Sequence, residues 1–323
     1  MVDKPVGITS HDVVAVVRAL MGARKVGHTG TLDPFATGVL VVALGAATRL
    51  ISFLDEDLKV YEGVIQLGMT TTTGDPEGDV VQTCAVPPRE SAEIQAVLQG
   101  FVGERMQTPP PFSAIKVQGR PLYAYARAGE SVEVPARPVR IDSIDLVSLD
   151  ADLLRFRVSC GKGTYVRVLA EEIASALGTA GYLVQLRRLR SGPFDIASSV
   201  DIETLASLAV GDPEANGGWR RVLRPGRGEE RVKWLPRDGV RAGLLKHALP
   251  AWQAFDGLMR VPAGPDEVQK LRRSGVAPPP PEQVADGCKY VIYEPADDWM
   301  VALVERRGPV GQPVRVLARP DDA

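Results

Sequence analysis

Cysteine is scarce: the three present, Cys84, Cys160 and Cys288, lie far apart without paired spacing. That argues against a disulfide framework or a cysteine zinc site. His11, His28 and His247 are too few and too scattered for a histidine-rich metal centre. No run of about 18 apolar residues occurs, which excludes a membrane-spanning helix. A basic-then-apolar signal pattern is missing from the N-terminus, so a cytoplasmic protein is expected. Net charge is almost absent as well, at −2, and no global field marks a polyanionic partner.

Turn-formers, by contrast, are plentiful. Glycine and proline make up 58 of 323 residues, above the roughly 12% of average usage. With 45% hydrophobic residues the chain can bury one large core or two unequal ones. Charge is unevenly spread. Residues 51–104 hold ten acidic and two basic residues, whereas 105–140 hold six basic and two acidic. A neutral protein with one basic segment can bind nucleic acid locally, although charge alone favours ordinary surface variation.

Ser10 is the expected N-cap of a helix carrying Val13, Val14, Val16, Val17, Leu20 and Met21, with Gly22 at its end. The run Gly27 to Pro34 is expected to lack regular structure. Val39–Leu44 reads as a buried strand, Ala46–Leu54 as a short helix, and Tyr61, Val64 and Ile65 mark another strand. Ser91–Leu98 is a helix closed by Gly100. From Pro109-Pro110-Pro111 to about Pro138 the chain makes a long excursion of short elements, of a kind that often carries binding function. Alternation at Leu154, Phe156 and Val158 predicts a half-buried strand. A helix over Val166–Leu177 and a strand over Leu183–Leu189 follow. Between Gly211 and Gly243 glycine, arginine and proline mark a linker. A small β-rich module follows it, with a helix at Asp266–Ser274 and strands at Tyr290–Tyr293, Met300–Val304 and Val314–Ala318.

Gly161-Lys162-Gly163-Thr164 invites a phosphate-loop reading that fails, because Phe156 and Gly163 stand where that motif needs glycine and a hydroxyl residue. Asp33 is a more promising group: a carboxylate between Thr31 and Pro34, flanked by Gly30 and Gly38, can be both rigid and exposed. Taken alone, Asp33-Pro34 is an ordinary turn.

Several motifs, in order over residues 3–195, change that reading. The run from Gly27-His28-Thr29-Gly30-Thr31-Leu32-Asp33-Pro34 to Leu40 closely resembles the catalytic motif of the TruB family of tRNA pseudouridine synthases. Asp3-Lys4-Pro5-Val6-Gly7 to Asp12 is similar to that family's N-terminal motif. Cys160-Gly161-Lys162-Gly163-Thr164-Tyr165-Val166-Arg167 and Leu186-Arg187-Arg188-Leu189 resemble its later motifs. Pro110-Pro111-Phe112-Ser113-Ala114-Ile115-Lys116-Val117 resembles the start of its RNA-clasping insertion. One departure is visible: the family has a strand before Asp-Lys-Pro, whereas here only Met1 and Val2 precede it. Either residues precede Met1 in the full protein or that strand is shortened, which bears on local stability near Lys4 rather than on chemistry.

The resemblance implies a mixed α/β (α+β) pseudouridine-synthase fold with a central mixed, largely antiparallel sheet. It implies a catalytic domain over 1–225 with the insertion at about 105–138, a linker over 226–243, and a PUA-like RNA-binding domain over 244–323. The implied reaction isomerises the uridine at position 55 in the T loop of tRNA, on a flipped-out nucleotide, with no cofactor or metal. Asp33 would be the group acting on the nucleoside, with Arg167 as its ion-pair partner. Tyr61 would stack on the base, and its hydroxyl is a candidate for proton transfer. Tyr165 and Leu186 would line the pocket, and His28 would occupy the space the base vacates. Lys4 and Thr31 belong to the substrate site, and Lys116 and Arg127, with Arg120 and Arg137, would contact phosphates. The expected partner is the T-arm of tRNA, bound by a monomer with no obligate protein partner and no membrane. The alternatives are a guide-dependent ribosomal RNA pseudouridine synthase and a non-catalytic RNA-binding or RNA-folding protein.

Overall fold

The structure is a computed structural model and describes residues 1–54, 58–209, 246–317 and 319. The chain begins β1 (Val2–Lys4), α1 (Ser10–Met21), β2 (Val26–Thr29), β3 (Thr37–Leu44), a 3-10 turn at Gly45–Leu50, α2 (Ile51–Leu54) and β4 (Lys59–Leu67). Next come the hairpin β5–β6 (Met69–Thr71, Val80–Thr83), α3 (Ser91–Gln99), β7 (Gly103–Gln107), the small hairpin β8–β9 (Lys116–Val117, Arg120–Pro121) and α4 (Leu122–Arg127). Long strands β10 (Arg137–Asp150) and β11 (Leu153–Cys160) lead to α5 (Val166–Ala176) and β12 (Gly181–Ser191). β13 (Phe194–Asp195), β14 (Val200–Asp201) and α6 (Ile202–Ala209) complete this part.

Ten of these strands form one mixed sheet in the order β14-β1-β3-β12-β4-β11-β10-β7, with β13 added to β12 and β2 to β3. Its pairings are antiparallel except β1–β14 and β3–β12. This is the expected fold class. Alternation explains the central strands: Tyr61, Gly63 and Ile65 of β4 and Leu154, Phe156 and Val158 of β11 are buried on one face. There they meet Leu169, Ala170 and Ile173 of α5 in the main core. A second cluster joins Val13, Val16, Val17 and Leu20 of α1 to Leu40 and Ile202.

Three sequence expectations need correction. The N-cap of α1 is Thr9, whose side chain and that of Asp12 form a capping box. Ser10 lies inside the helix and its hydroxyl is used elsewhere. The glycine-rich run is also partly regular, since Val26–Thr29 pairs with Val41–Leu44 as β2; tertiary pairing supplies what local propensity does not. The excursion begins and ends inside the sheet, where Gln107 of β7 stands opposite Arg137 of β10, leaving 108–136 outside it. β1 is short, three residues held between β3 and β14.

The expected linker, 226–243, and the boundary at 225 lie outside the described residues. Beyond them β15 (Met259–Pro262), α7 (Pro265–Ser274), β16 (Lys289–Glu294), β17 (Trp299–Arg307) and β18 (Val310–Val316) form a four-stranded sheet with one helix. Val291, Met300 and Leu303 from this sheet pack on Leu50 and Leu54 of the α2 region. No helix among the described residues is long and apolar enough to cross a membrane.

The close parallel pairing of β3 with β12 depends on one glycine. Gly38 has φ +104°, and a Cβ there would overlap the backbone of Arg188. Gly38→Ala is expected to cost about 3 kcal/mol of unfolding free energy, since strain and overpacking add. Urea denaturation followed by circular dichroism measures it, and a cost below about 1 kcal/mol would show that the strands can part.

Candidate active site

The loop from Gly30 to Ala36 carries Asp33 and is tied down from three sides. Ser10 Oγ donates to the Leu32 carbonyl at 3.1 Å and accepts from the Leu32 N–H at 2.9 Å. The Gly7 N–H donates to the Pro34 carbonyl at 2.8 Å. Lys4, fully buried, donates to the carbonyls of Pro5, Ile8 and Pro34 at 2.9, 2.7 and 3.2 Å. Arg188, also fully buried, reaches from β12 to Val39 O at 2.7 Å through Nε and to Gly30 O at 2.9 Å through Nη2. A loop with both flanks held by buried cations presents its carboxylate in one orientation.

Arg167, in the first turn of α5, meets that carboxylate. Its Nε lies 2.9 Å from Asp33 Oδ2, while Nη1 donates to Thr73 O and Nη2 to Phe112 O, both at 2.8 Å. A second acid, Asp75, lies 3.5 Å from Nη1 and is held by the Thr73 hydroxyl at 2.5 Å and the Glu77 N–H at 3.0 Å. Side-chain exposure separates the two acids: 35% for Asp33 against 5% for Asp75. Asp33 is therefore partly open to solvent, whereas Asp75 is buried.

Burial is the largest influence on Asp33 and raises its pKa; the Arg167 charge opposes it, Asp75 reinforces it, and Lys4 opposes it weakly. The expected ion pair with Arg167 is present; it offsets the burial, and the net direction remains upward. A raised carboxyl means that its charge costs the folded state stability at neutral pH, a cost that disappears as pH falls through that raised value. Burial also brings Lys4 down to about 8, with Asp33 the first charge opposing that shift.

Tyr61 on β4 is buried in the same cluster as Leu32, Phe35 and Leu186, and Arg188 stands 6.0 Å from its ring centre. Burial raises its hydroxyl pKa, against the charge of Arg188. Leu186, 8% exposed, lies on β12, where its carbonyl accepts from the Thr37 hydroxyl at 3.5 Å. Tyr165 is the N-cap residue of α5. His28, half-buried on β2, packs edge-to-face on His11 with ring centres 5.5 Å apart. Thr31 is exposed in the Asp33 loop. Asp33, Arg167, Lys4, Tyr61, Tyr165 and Leu186 are thus near neighbours in the folded chain. Lys116 and Arg127 stand exposed on the insertion, Arg127 with its guanidinium 5.6 Å from the Tyr123 ring centre. Arg120 is engaged by Glu130 at 2.9 Å and by the Ala124 carbonyl at 2.6 Å. Asp75 and Arg188 were not among the expected site residues. An Asp-Pro pair in a threonine-rich run, like Asp33-Pro34, was the available signal for Asp75; Arg188 had only its place in the Leu186–Leu189 motif.

The sequence profile of the TruB family pseudouridylate synthase N-terminal domain matches residues 18–166, and that of the tRNA pseudouridylate synthase B C-terminal domain matches 167–227. The chain belongs to the TruB family. Its relatives include proteins named tRNA pseudouridine synthase B. That of Cereibacter sphaeroides is 47% identical over 267 residues, covering 80% of this chain and 88% of its own. That of Geobacter sulfurreducens is 43% identical over 242 residues, covering 72% and 80%. Among solved structures, a chain of a Cbf5–Nop10–Gar1 complex superposes with a TM-score of 0.67 at 25% identity, over 99% of this chain and 85% of that one. This TruB enzyme is therefore an isomerase with a pseudouridine-synthase fold.

The ion pair generates a titration prediction. In the parent enzyme, carboxyl-13C NMR of labelled aspartate should report an Asp33 pKa above the ordinary aspartate range. Arg167→Gln removes the cation that favours the charged form, so the same resonance should titrate at still higher pH. A downward displacement would contradict the arrangement.

Proposed function

We propose that this TruB enzyme converts the uridine at position 55 in the T loop of tRNA to pseudouridine, acting alone as a cytoplasmic monomer. The observation that carries the reading is Asp33, partly open to solvent and paired with a buried Arg167 in a loop that four other residues hold still. The names of the relatives support tRNA as the substrate.

The reaction breaks the N1–C1′ bond of uridine and forms a C5–C1′ bond, while C5 loses a proton and N1 gains one. Atoms and electrons balance without oxidant, reductant or water. In this reading Asp33, in its ionised form, engages the nucleoside, and Arg167 aims it and favours its charge. Extruding the base costs a few kcal/mol. Stacking on Tyr61 recovers part of that, at roughly 1–3 kcal/mol per base. Leu186 and Tyr165 close the pocket, and His28 fills the gap left in the RNA. Lys4 and Thr31 support the loop at the substrate. The insertion over 108–136 grips the T-arm by shape, as folded RNA is largely read, and the C-terminal sheet serves as a PUA-like RNA-binding module.

The purified protein should form pseudouridine at position 55 of an unmodified tRNA transcript without added RNA or protein, as read by mass-sensitive mapping. A requirement for a guide RNA would favour the ribosomal alternative, to which the Cbf5 likeness points. Asp33→Asn should abolish product and leave tRNA affinity within about threefold of the parent, because it removes one charge and little volume. Collapse of binding would make Asp33 structural. Lys116→Ala and Arg127→Ala should each weaken tRNA binding and lower the salt slope of log K by about 0.7 to 1.

A further inference from the structure

Gln107 closes β7 at the rung where the insertion leaves the sheet, opposite Arg137, where it returns. It is only 2% exposed. A buried amide must satisfy both its carbonyl and its NH2, and Gln107 does so on a single residue. Its Oε1 accepts from the Tyr165 N–H at 2.8 Å, and its Nε2 donates to the Tyr165 carbonyl at 3.2 Å. Tyr165 is the N-cap of α5 and makes no capping bond with its own side chain. The start of the helix is therefore fixed from another strand. Two residues on stands Arg167, whose Nη2 is held by the carbonyl of Phe112, five residues beyond Gln107. The segment 107–112 thus grips α5 at two points, the backbone of its N-cap and the head of Arg167. Pro109, Pro110 and Pro111 lie between those points, and their fixed φ makes the span stiff.

We propose that Gln107 is a positioning residue for the isomerisation, setting where α5 begins and hence how Arg167 meets Asp33, and tying that placement to the root of the insertion. This rests on the function proposed above. Gln107 touches no reacting atom in this account; it acts through Tyr165 and Arg167. Small displacements of an aiming group are expensive in rate, up to about a hundredfold for 1 Å.

The test uses the full chain with Gln107→Leu and Gln107→Glu. Single-turnover conversion of a tRNA transcript, tRNA affinity by filter binding and hydrogen exchange at the Tyr165 amide are measured for each. Gln107→Leu should slow conversion at saturating enzyme about 30-fold, leave affinity within about threefold, and accelerate exchange at Tyr165. Gln107→Glu keeps the acceptor for the Tyr165 N–H but sets an oxygen against the Tyr165 carbonyl. Its rate relative to the parent should therefore recover as pH falls and the carboxyl gains a proton to donate. A purely space-filling role would not give that pH dependence. Parental rate in Gln107→Leu, a loss confined to tRNA affinity, or a Gln107→Glu profile parallel to the parent's would overturn the proposal. A parent that forms no pseudouridine would instead overturn the function reading, and unchanged Tyr165 exchange in Gln107→Leu would still refute the anchoring.

Discussion

A buried guanidinium gripped by four partners is the constraint on which this molecule turns. Arg167 is 4% exposed, and removing such a charge from water is costly unless protein groups replace most of its contacts with water. Two carbonyls, Thr73 and Phe112, and two carboxylates, Asp33 and Asp75, replace them. Those four partners come from separate stretches of chain: the β2–β3 loop, the β5–β6 hairpin and the root of the insertion. The cation therefore does two jobs. It converges three loops on the start of α5, and it supplies the charge against which Asp33 is poised.

Poise here is a balance of opposed effects. Burial makes the Asp33 charge expensive, Arg167 reduces that expense, and Asp75 restores part of it. One cation thus serves two acids, and the like charge of Asp75 works against that of Asp33. Lys4 and Arg188 complete the arrangement from the other side. They fix the loop through its carbonyls and, among the described residues, make no ion pair with the carboxylate.

Much of the fold could be read along the chain, because its signals are local. Alternation in β4 and β11 marks the core face, and helical spacing with Gly22 beyond it marks α1. Where the sequence misled, longer-range pairing was responsible in one case and a neighbouring residue in another. β2 exists because Val41–Leu44 offers it an edge, although its own glycine and threonine content argues for a loop. Ser10 has the chemistry of a cap, but Thr9 precedes it and takes that role, which frees the Ser10 hydroxyl for Leu32.

By itself the sequence determined the fold class, the family and the identity of Asp33, Tyr61 and Arg167 as candidates, since Asp33 and Arg167 sit in short contiguous motifs and the family those motifs mark implies Tyr61. Tertiary structure decided which groups share the Arg167 charge, and it brought in Asp75, Arg188 and Gln107. Those three are separated by roughly 30 to 110 residues, and no local pattern links them. What joins them is the need of buried charges and amides for partners, and only the folded chain can say which partners are within reach.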